Sequence, residues 1–161
     1  MSTNYMKKDN GLYWLLFVII VFIIDIASKF WIINNFSLFE SVNFLPFFSI
    51  TYVRNIGAAF SIFEGQRMML TAIALIICAV IVRMLYRNNR QQKLENLSLS
   101  MILGGALGNL FDRLYHGFVI DFLDVNFGNW HYPTFNIADC AICVGIGLFI
   151  FRNYKKTKKT V

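Results

Sequence analysis

The sequence predicts an all-α membrane protein of four transmembrane helices with a small β-sheet in the first extracytoplasmic loop. Of its 161 residues, 57% are apolar and only 15% are charged, whereas soluble domains carry about 25% charged residues. The mean hydropathy is +0.56. Four apolar segments approach the length of a membrane crossing, and one loop alternates apolar and polar residues. We therefore expect residues 1–161 to form a single integral membrane domain.

The four apolar segments set the predicted helices. Crossing a bilayer as a helix takes roughly 20 residues, and a helix satisfies its own backbone hydrogen bonds in lipid. The fourth segment is short and has an acidic residue in its first turn, so its bounds are the hardest to place. The predicted spans are residues 12–33, 68–86, 94–114 and 137–154. They leave outer loops at residues 34–67 and 115–136.

Two charged residues interrupt the end of the first span. Because of Asp25 and Lys29, and because no small-x-small cleavage pattern follows, we interpret this span as an uncleaved anchor and not as a signal peptide. The two residues are spaced i,i+4 with the acid first, which suits an ion pair on one helix face. Such a pair can support a site, or it can orient loops and extend toward the interface.

Lysine and arginine residues favour one side of the membrane. Eleven of the fifteen lie there, and they are Lys7, Lys8, Arg83, Arg87, Arg90, Lys93, Arg152, Lys155, Lys156, Lys158 and Lys159. The positive-inside rule then places both termini in the cytoplasm. Seven acids fall at or near the outer side: Asp25, Glu40, Glu64, Asp112, Asp121, Asp124 and Asp139. The net charge of +6 therefore indicates topology and contact with anionic lipids, not nucleic-acid binding.

The longer outer loop contains a run with the character of a strand. Residues 48–53 alternate apolar and polar side chains and include strand-forming types. We therefore predict a small sheet on the outer membrane surface. The next residues, 55–60, include Gly57 and two alanines. They allow a backbone to approach a ligand or helix closely, or they form a tight turn, and composition does not separate these two interpretations.

The third span has a polar face at its outer end. Three glycines between residues 104 and 108 provide a small-residue face for close helix contact. Asn109, Asp112 and Arg113 follow at i, i+3 and i+4, so they share one side of the helix. An amide, an acid and a guanidinium group together can bind peptide carbonyls or hold another carboxylate. They can also be a polar cluster that only ends the helix.

Two aspartates flank the second outer loop. Asp121 lies among apolar residues, which suggests a segment that dips back into the membrane edge. Asp139 follows Asn136 by three residues, so it can be the acid of a helix-capping box, a catalytic residue or both. Eighteen positions separate the two aspartates along the chain. Antiparallel neighbouring spans would bring both to the same membrane level.

Two carboxyl groups that meet in this way cannot both ionise easily, so the pair shares one proton. One member can then deprotonate water while the other protonates a carbonyl, which hydrolyses a peptide bond without a metal or a covalent intermediate. Asp112 and Asp124 are alternative second partners. No Ser-His-Asp or Cys-His set competes at this face.

The three cysteines are interpreted as packing residues. Cys78, Cys140 and Cys143 all lie inside apolar helices. The last two have CxxC spacing, but no second Cys pair or well-placed His completes a zinc site. His116 and His131 are interpreted as polar loop residues. We expect no metal and no cofactor.

Five blocks of residues, in order along the chain, give a resemblance to bacterial lipoprotein signal peptidases, the type II signal peptidases. They are residues 25–29 (DIASK), 54–60 (RNIGAAF), 104–113 (GGALGNLFDR), 119–122 (VIDF) and 135–139 (FNIAD). Each block alone is a weak signal, but the ordered set is specific. The resemblance covers nearly the whole chain.

This resemblance implies an intramembrane aspartic endopeptidase with Asp121 and Asp139 as its catalytic pair. The substrate would be a prolipoprotein with a diacylglyceryl group on its Cys, cut just before that Cys near the periplasmic face of the bacterial inner membrane. Residues that bind substrate or support the pair would be Asn55, Gly57, Asn109, Arg113 and Asn136. Polar residues that support the structure would be Asp25, Lys29 and Asp112. We expect a monomer that contacts membrane lipids and no nucleic acid.

Two non-enzymatic hypotheses compete with this one: a small proton-coupled membrane carrier, and an assembly subunit whose polar residues only cap helices. Carriers tend to place ionisable groups near the midplane and to contain internal repeats. Here the acids cluster at one end and no repeat is visible. Cleavage of a lipidated precursor peptide, insensitive to metal chelators, would separate the enzyme from both.

Overall fold

Four long helices form the body of the protein, as the apolar segments predict. The computed structural model describes residues 10–57, 63, 65–128 and 130–158. A 3₁₀ turn, Gly11–Trp14, leads into the first helix. The helices are α1 (Leu15–Asn35), α2 (Arg67–Arg87), α3 (Lys93–Tyr115) and α4 (Ile137–Lys158). Residues 58–60, part of one of the five blocks, lie outside the described residues.

Three of these helices are long and apolar enough to cross a membrane. They are Gly11–Asn35, which includes the 3₁₀ turn, Arg67–Arg87 and Ile137–Lys158. Each has a lipid-suited surface of exposed apolar side chains, such as Ile23 in α1, Ile76 in α2 and Ile150 in α4. The described structure therefore supports three of the four expected spans by composition.

Helix α3 differs because it is enclosed by the others. It packs against α1, α2 and α4, and thirteen of its 23 residues are buried. Several of these are polar, among them Asn96, Ser98 and Ser100. A helix surrounded by protein does not need the apolar surface that a lipid-facing helix needs, which explains its lower hydropathy.

Glycines let α3 approach its neighbours closely. A Cβ on Gly104 would lie 2.7 Å from the Val21 Cβ of α1. A Cβ on Gly108 would collide with the Asp25 carboxylate of α1, and one on Gly105 would collide with the Ala138 carbonyl of α4. The small-residue face predicted from the sequence is therefore two faces, each serving a different helix.

A four-stranded antiparallel sheet lies at one end of the helices. Its strands, in spatial order, are β1 (Ser41–Leu45), β2 (Phe48–Asn55), β3 (Val119–Phe127) and β4 (Trp130–His131). The sheet was expected in the first loop alone, but half of its strands come from the second. Residues expected to dip toward the membrane edge instead form β3. Its partner β2 is remote in sequence, so the local pattern does not reveal the pairing.

A small apolar cluster attaches this sheet to the helices. Ile32 near the end of α1 packs with Tyr52 of β2 and with Ile120 and Phe122 of β3. All four side chains are buried. This contact places β3 next to the adjoining ends of α1 and α3, where the polar residues of those helices gather.

Candidate active site

Asp139 lies in the first turn of α4, where a reciprocal cap holds it. The Asp139 N–H donates to Asn136 Oδ1 at 2.9 Å, and the Asn136 N–H donates to Asp139 Oδ2 at 3.2 Å. This is the capping box that the spacing of the two residues predicts. The cap gives the Asp139 carboxylate a rigid mount and leaves Oδ1 for a further partner.

Asp121 lies on β3 and is almost fully buried, with 1% of its surface exposed. Asn136 Nδ2 donates to Asp121 Oδ1 at 2.7 Å, and Asn55 Nδ2 donates to Asp121 Oδ2 at 2.8 Å. Asn136 therefore contacts both aspartates, one through its side-chain amide and the other through its backbone and its side-chain oxygen. The fold brings the two carboxyl groups into one hydrogen-bond network.

Asn109 of α3 completes this network. Its Nδ2 donates to Asp139 Oδ1 at 2.8 Å, and its Oδ1 accepts from Asn136 Nδ2 at 3.1 Å and from Lys29 Nζ at 3.0 Å. Three helices and two strands thus contribute to the arrangement of the two aspartates.

A buried ion cluster lies beneath the network. Lys29 Nζ is 2.8 Å from Asp25 Oδ2 and 2.9 Å from Asp112 Oδ2. Together with Asn109 these are three acceptors for the three ammonium protons. Lys29 is 1% exposed, so the pair predicted in the first span faces the protein interior and does not extend to the interface.

The two acids of this cluster each hold the backbone next to one aspartate of the site. Asp25 Oδ1 accepts from the Ala138 N–H at 2.8 Å, one residue before Asp139. Asp112 Oδ2 accepts from the Ile120 N–H at 3.1 Å, one residue before Asp121. Sequence reasoning identified the acids but not these two backbone contacts, since nothing local links them.

Arg113 connects α3 to the loop that follows β2. Its guanidinium donates to the Gly57 carbonyl at 3.1 Å and to the Asn109 carbonyl at 3.3 Å. The Gly57 N–H also donates to Asn55 Oδ1 at 2.9 Å, which forms a tight turn. Gly57 is therefore a buried turn residue held by the site.

The two aspartates line a cavity of about 760 Å³ together with Asn55, Asn109 and Arg113. Its remaining wall is largely apolar and runs along α4 through Ile142 and Val144. Cys140 and Cys143 also line it, which sequence reasoning missed because it treated both only as packing residues. Such a cavity can take an extended peptide at its polar end and an alkyl chain along its apolar side.

The other acidic candidates lie elsewhere. Asp124 accepts from Thr51 Oγ1 at 3.0 Å and lies 2.9 Å from His131 Nδ1. It is three positions from Asp121 on one strand, so the two side chains point to opposite faces of the sheet. Asp112 is occupied beneath the site by Lys29. Within the described ranges, no three His, Cys, Asp or Glu side chains are placed to hold a metal ion.

The surroundings of Asp121 favour its protonated form. Burial, and next the nearby charge of Asp139, raise the pKa of Asp121 to about 7 from 3.8, although the hydrogen bonds from Asn55 and Asn136 oppose this. The two carboxyls are therefore electrostatically coupled, and Asp121 can carry a proton near neutral pH.

Comparison with known proteins gives a consistent result. The family model described as signal peptidase (SPase) II matches residues 17–155. The lipoprotein signal peptidase of Actinobacillus succinogenes is 49% identical over 158 residues, which cover 96% of this chain and 97% of that one. The lipoprotein signal peptidase of Serratia proteamaculans is 51% identical over 150 residues, 91% of this chain and 89% of that one.

Solved structures agree with the fold. One described as a bacterial membrane enzyme is 31% identical to this chain and superposes with a TM-score of 0.87 over 98% of this chain and 97% of its own. A second, described in the same words, is also 31% identical and has a TM-score of 0.80 over 92% and 97%.

Proposed function

The chain belongs to the signal peptidase II family, and we propose that it hydrolyses the signal peptides of diacylglyceryl-modified prolipoproteins just before the lipidated Cys, using Asp121 and Asp139 as an aspartic dyad. The family makes it a peptidase of lipoprotein processing and a multi-pass protein of the bacterial inner membrane. The single observation that carries the dyad is that Asn136 contacts both carboxyl groups at the polar end of one cavity.

In the proposed reaction the dyad holds one proton. The Asp139 carboxylate takes a proton from a water molecule, and the water oxygen attacks the carbonyl carbon of the scissile peptide bond. Protonated Asp121 gives its proton to the carbonyl oxygen, which yields a neutral tetrahedral diol. The diol then collapses as Asp139 gives its proton to the leaving nitrogen of the Cys, Asp121 takes a proton from a diol hydroxyl, and the C–N bond breaks. The dyad again holds one proton, on Asp121.

The raised pKa of Asp121, about 7, supports its role as the acid. A carboxyl group that is protonated near neutral pH can donate to a carbonyl, and its coupled neighbour can act as base. The amides of Asn55 and Asn136 keep it oriented without adding a positive charge. Arg113 holds the turn at Gly57 beside the cavity, where the signal peptide would lie.

The shape and chemistry of the cavity support the lipidated substrate. The polar end would hold the peptide bond, and the apolar wall along α4 would accept an acyl chain of the diacylglyceryl group. An assembly subunit whose polar residues only cap helices has no comparable need for two acids beside an apolar cavity wall.

We propose four spans, with α3 as the enclosed fourth, and both termini in the cytoplasm. At 23 residues and about 1.5 Å of rise per residue, α3 is long enough to cross. The sheet and the dyad then lie near the periplasmic face, where the lipid anchor would present the scissile bond. We propose a monomer, since one chain is sufficient to bring both aspartates and their asparagine partners together.

The direct test is cleavage of a synthetic diacylglyceryl precursor peptide by the purified protein in detergent. Asp121→Asn and Asp139→Asn keep the size of each side chain but remove its acid–base function, so each should lower turnover by on the order of 10²–10⁴-fold. Asp124→Asn, on the other face of β3, is the matched control and should keep most activity. Near-normal turnover by either dyad variant with an intact fold would exclude that aspartate from the chemistry.

A further inference from the structure

A second cavity lies at the end of the helix bundle away from the sheet. It has a volume of about 690 Å³ and is lined by the start of α1 and by the connection between α2 and α3. Arg90 and Lys93 form one end, and Leu16, Phe17 and Ile20 form an apolar wall. We call these residues, with Tyr13 and Trp14, the basic groove.

We propose that the basic groove is a binding site for an anionic phospholipid, with the headgroup phosphate on Arg90 and Lys93 and an acyl chain along the exposed face of α1. Neither the hydrolysis reaction nor the cavity that holds the dyad involves this site. The inference rests on the proposed topology but not on the proposed reaction, so either can fail without the other.

The headgroup end is already organised. The Arg90 guanidinium lies 3.8 Å from the centroid of the Tyr13 ring, and the Trp14 indole N–H donates to the Arg90 carbonyl at 3.4 Å. Stacking on an aromatic face leaves the N–H edge of a guanidinium available, and that edge matches the oxygens of a phosphate. Side chain and backbone of Arg90 are thus both held against the first turn of the membrane helix.

The charge at this end is positive and is not cancelled by its acidic neighbour. Glu95 lies two positions after Lys93 in the chain. It pairs with Arg152 and accepts from Gln92 Nε2 at 3.1 Å. Within the part of the chain that the structure describes, neither Arg90 nor Lys93 forms an ion pair with an acid. Basic pockets between transmembrane helices on the cytoplasmic side are suited to anionic headgroups.

The acyl end follows from the geometry of α1. Leu16 and Ile20 are 67% and 51% exposed, although they are large and apolar. They lie one helical turn apart, so their side chains form a continuous strip. From Tyr13 to Ile20 the helix rises about 10 Å. Over this distance its surface changes from aromatic and basic to apolar, which matches the change from headgroup to acyl chain in a phospholipid.

The test measures which lipid contacts Trp14. The full chain carrying Trp31→Phe and Trp130→Phe keeps Trp14 as its sole tryptophan, and it is reconstituted in vesicles that contain brominated phosphatidylglycerol or brominated phosphatidylcholine. Bromine quenches an indole on contact, so quenching reports occupancy of the basic groove. Two basic side chains should favour phosphatidylglycerol, on the order of fivefold for each side chain.

Two double variants locate the effect. Arg90→Gln with Lys93→Gln should abolish the preference for phosphatidylglycerol. Arg83→Gln with Arg87→Gln, exposed residues at the end of α2 outside the groove, removes the same charge and should keep it. Equal quenching by both lipids in the unaltered groove would overturn the proposal. So would a preference that survives the loss of Arg90 and Lys93 or disappears in the control. Helix content by circular dichroism verifies that each variant is folded.

Discussion

Asparagine amides, and not charged side chains, make the direct contacts to the two aspartates. Asn136 bonds to both, Asn55 bonds to Asp121 and Asn109 bonds to Asp139. An amide can orient a carboxyl group through one hydrogen bond, whereas an arginine in the same place would strongly favour the ionised form. The choice of amides therefore keeps Asp121 able to hold a proton.

A buried lysine lies behind the network. Lys29 bonds to Asn109 and is shared between Asp25 and Asp112, so its charge is paired within the protein interior. Removing one partner of a buried ion cluster leaves an uncompensated charge, which is strongly destabilising. Lys29 thus supports the site through structure, by holding the two acids that in turn fix the backbone at Ala138 and Ile120.

The protonation of Asp121 leads to a prediction about pH. In the proposed reaction cleavage requires a protonated Asp121, so kcat/KM should fall as the pH rises through about 7. It should also fall at acid pH, when the coupled pair takes up its second proton. The pH–rate profile of the purified protein in detergent, with a lipidated peptide, should therefore be bell-shaped. A profile that stays level from pH 6 to about 9 would contradict a protonated acid with this pKa.

The same shift has a definite sign for stability. In the unfolded chain Asp121 ionises near its ordinary pKa, whereas in the folded protein it keeps its proton up to about pH 7. The folded state therefore binds more protons between these values, and the contribution of this group to stability decreases as the pH rises across that window. Unfolding of the purified protein measured at several pH values checks this sign. For the activity profile described above, Asp124→Asn is the control and should leave the alkaline limb in place.

Among the helices, α3 has the central position because it touches each of the other three. Its glycines allow α1 and α4 to lie close on two different sides. The contact at Gly108 is the most consequential one, since the Asp25 carboxylate occupies the space that a side chain would need. Asp25 holds the Ala138 N–H from that position, so the packing of two helices and the placement of Asp139 depend on one small residue.

Gly108→Ala should therefore destabilise the protein and reduce cleavage. Filling a close-packed contact costs typically about 1–3 kcal/mol, and here the added methyl group would displace Asp25. Gly147→Ala on α4 is the matched control, because its Cβ would meet nothing within 4 Å. In a helix that change is neutral or stabilising by up to about 1 kcal/mol. Thermal unfolding in detergent measures both, and equal melting temperatures would refute the role of the Gly108 contact.

The pairing of β2 with β3 has a comparable role for the sheet. Val53 lies opposite Asp121, and Asn55 lies opposite Val119. This register brings the Asn55 amide within 2.8 Å of the Asp121 carboxylate. A slip by one residue would turn Asp121 away from the cavity, because neighbouring side chains on a strand face opposite sides. The sheet is thus part of the site and not only a cover over it.

Across the whole protein, polar chemistry is separated along the helix axes. The sheet, the dyad and the buried ion cluster lie at one end, and the basic groove lies at the other. Exposed apolar side chains on α1, α2 and α4 lie between them. This arrangement suits a protein that works at one membrane face and is anchored by basic residues at the opposite face.

Topology reporters can test this orientation. Green fluorescent protein, which fluoresces when fused on the cytoplasmic side, should report at both the N- and the C-terminus. A cysteine introduced at Gly128, in the turn between β3 and β4, should react with a membrane-impermeant maleimide added to intact spheroplasts. Cys78→Ser, Cys140→Ser and Cys143→Ser in the same chain remove the native thiols. A second variant carries its cysteine at Gln91, in the connection between α2 and α3, and should not be labelled. Labelling at residue 91, or no labelling at residue 128, would contradict the proposed topology.

The helices and one cap could be predicted from the sequence because they depend on neighbouring residues. Apolar runs place α1, α2 and α4, and the three-residue spacing of Asn136 and Asp139 predicts the cap that the structure contains. Close contact at the α3 glycines was also predictable, because only small residues allow it. The membership of Asp121 and Asp139 in one site was predicted from loop length and resemblance, and their catalytic role stays a proposal.

Long-range packing set the remaining features, which local pattern cannot reveal. Strand β3 exists because β2 supplies its hydrogen bonds, and that pairing turns Asp121 toward the cavity and Asp124 away from it. Asp25 and Asp112 reach backbone N–H groups far away in the chain because α1, α3, α4 and β3 meet at one point. Burial at that point also raises the pKa of Asp121. Hydropathy and spacing act between near neighbours, whereas desolvation and strand register arise only when remote segments are packed together.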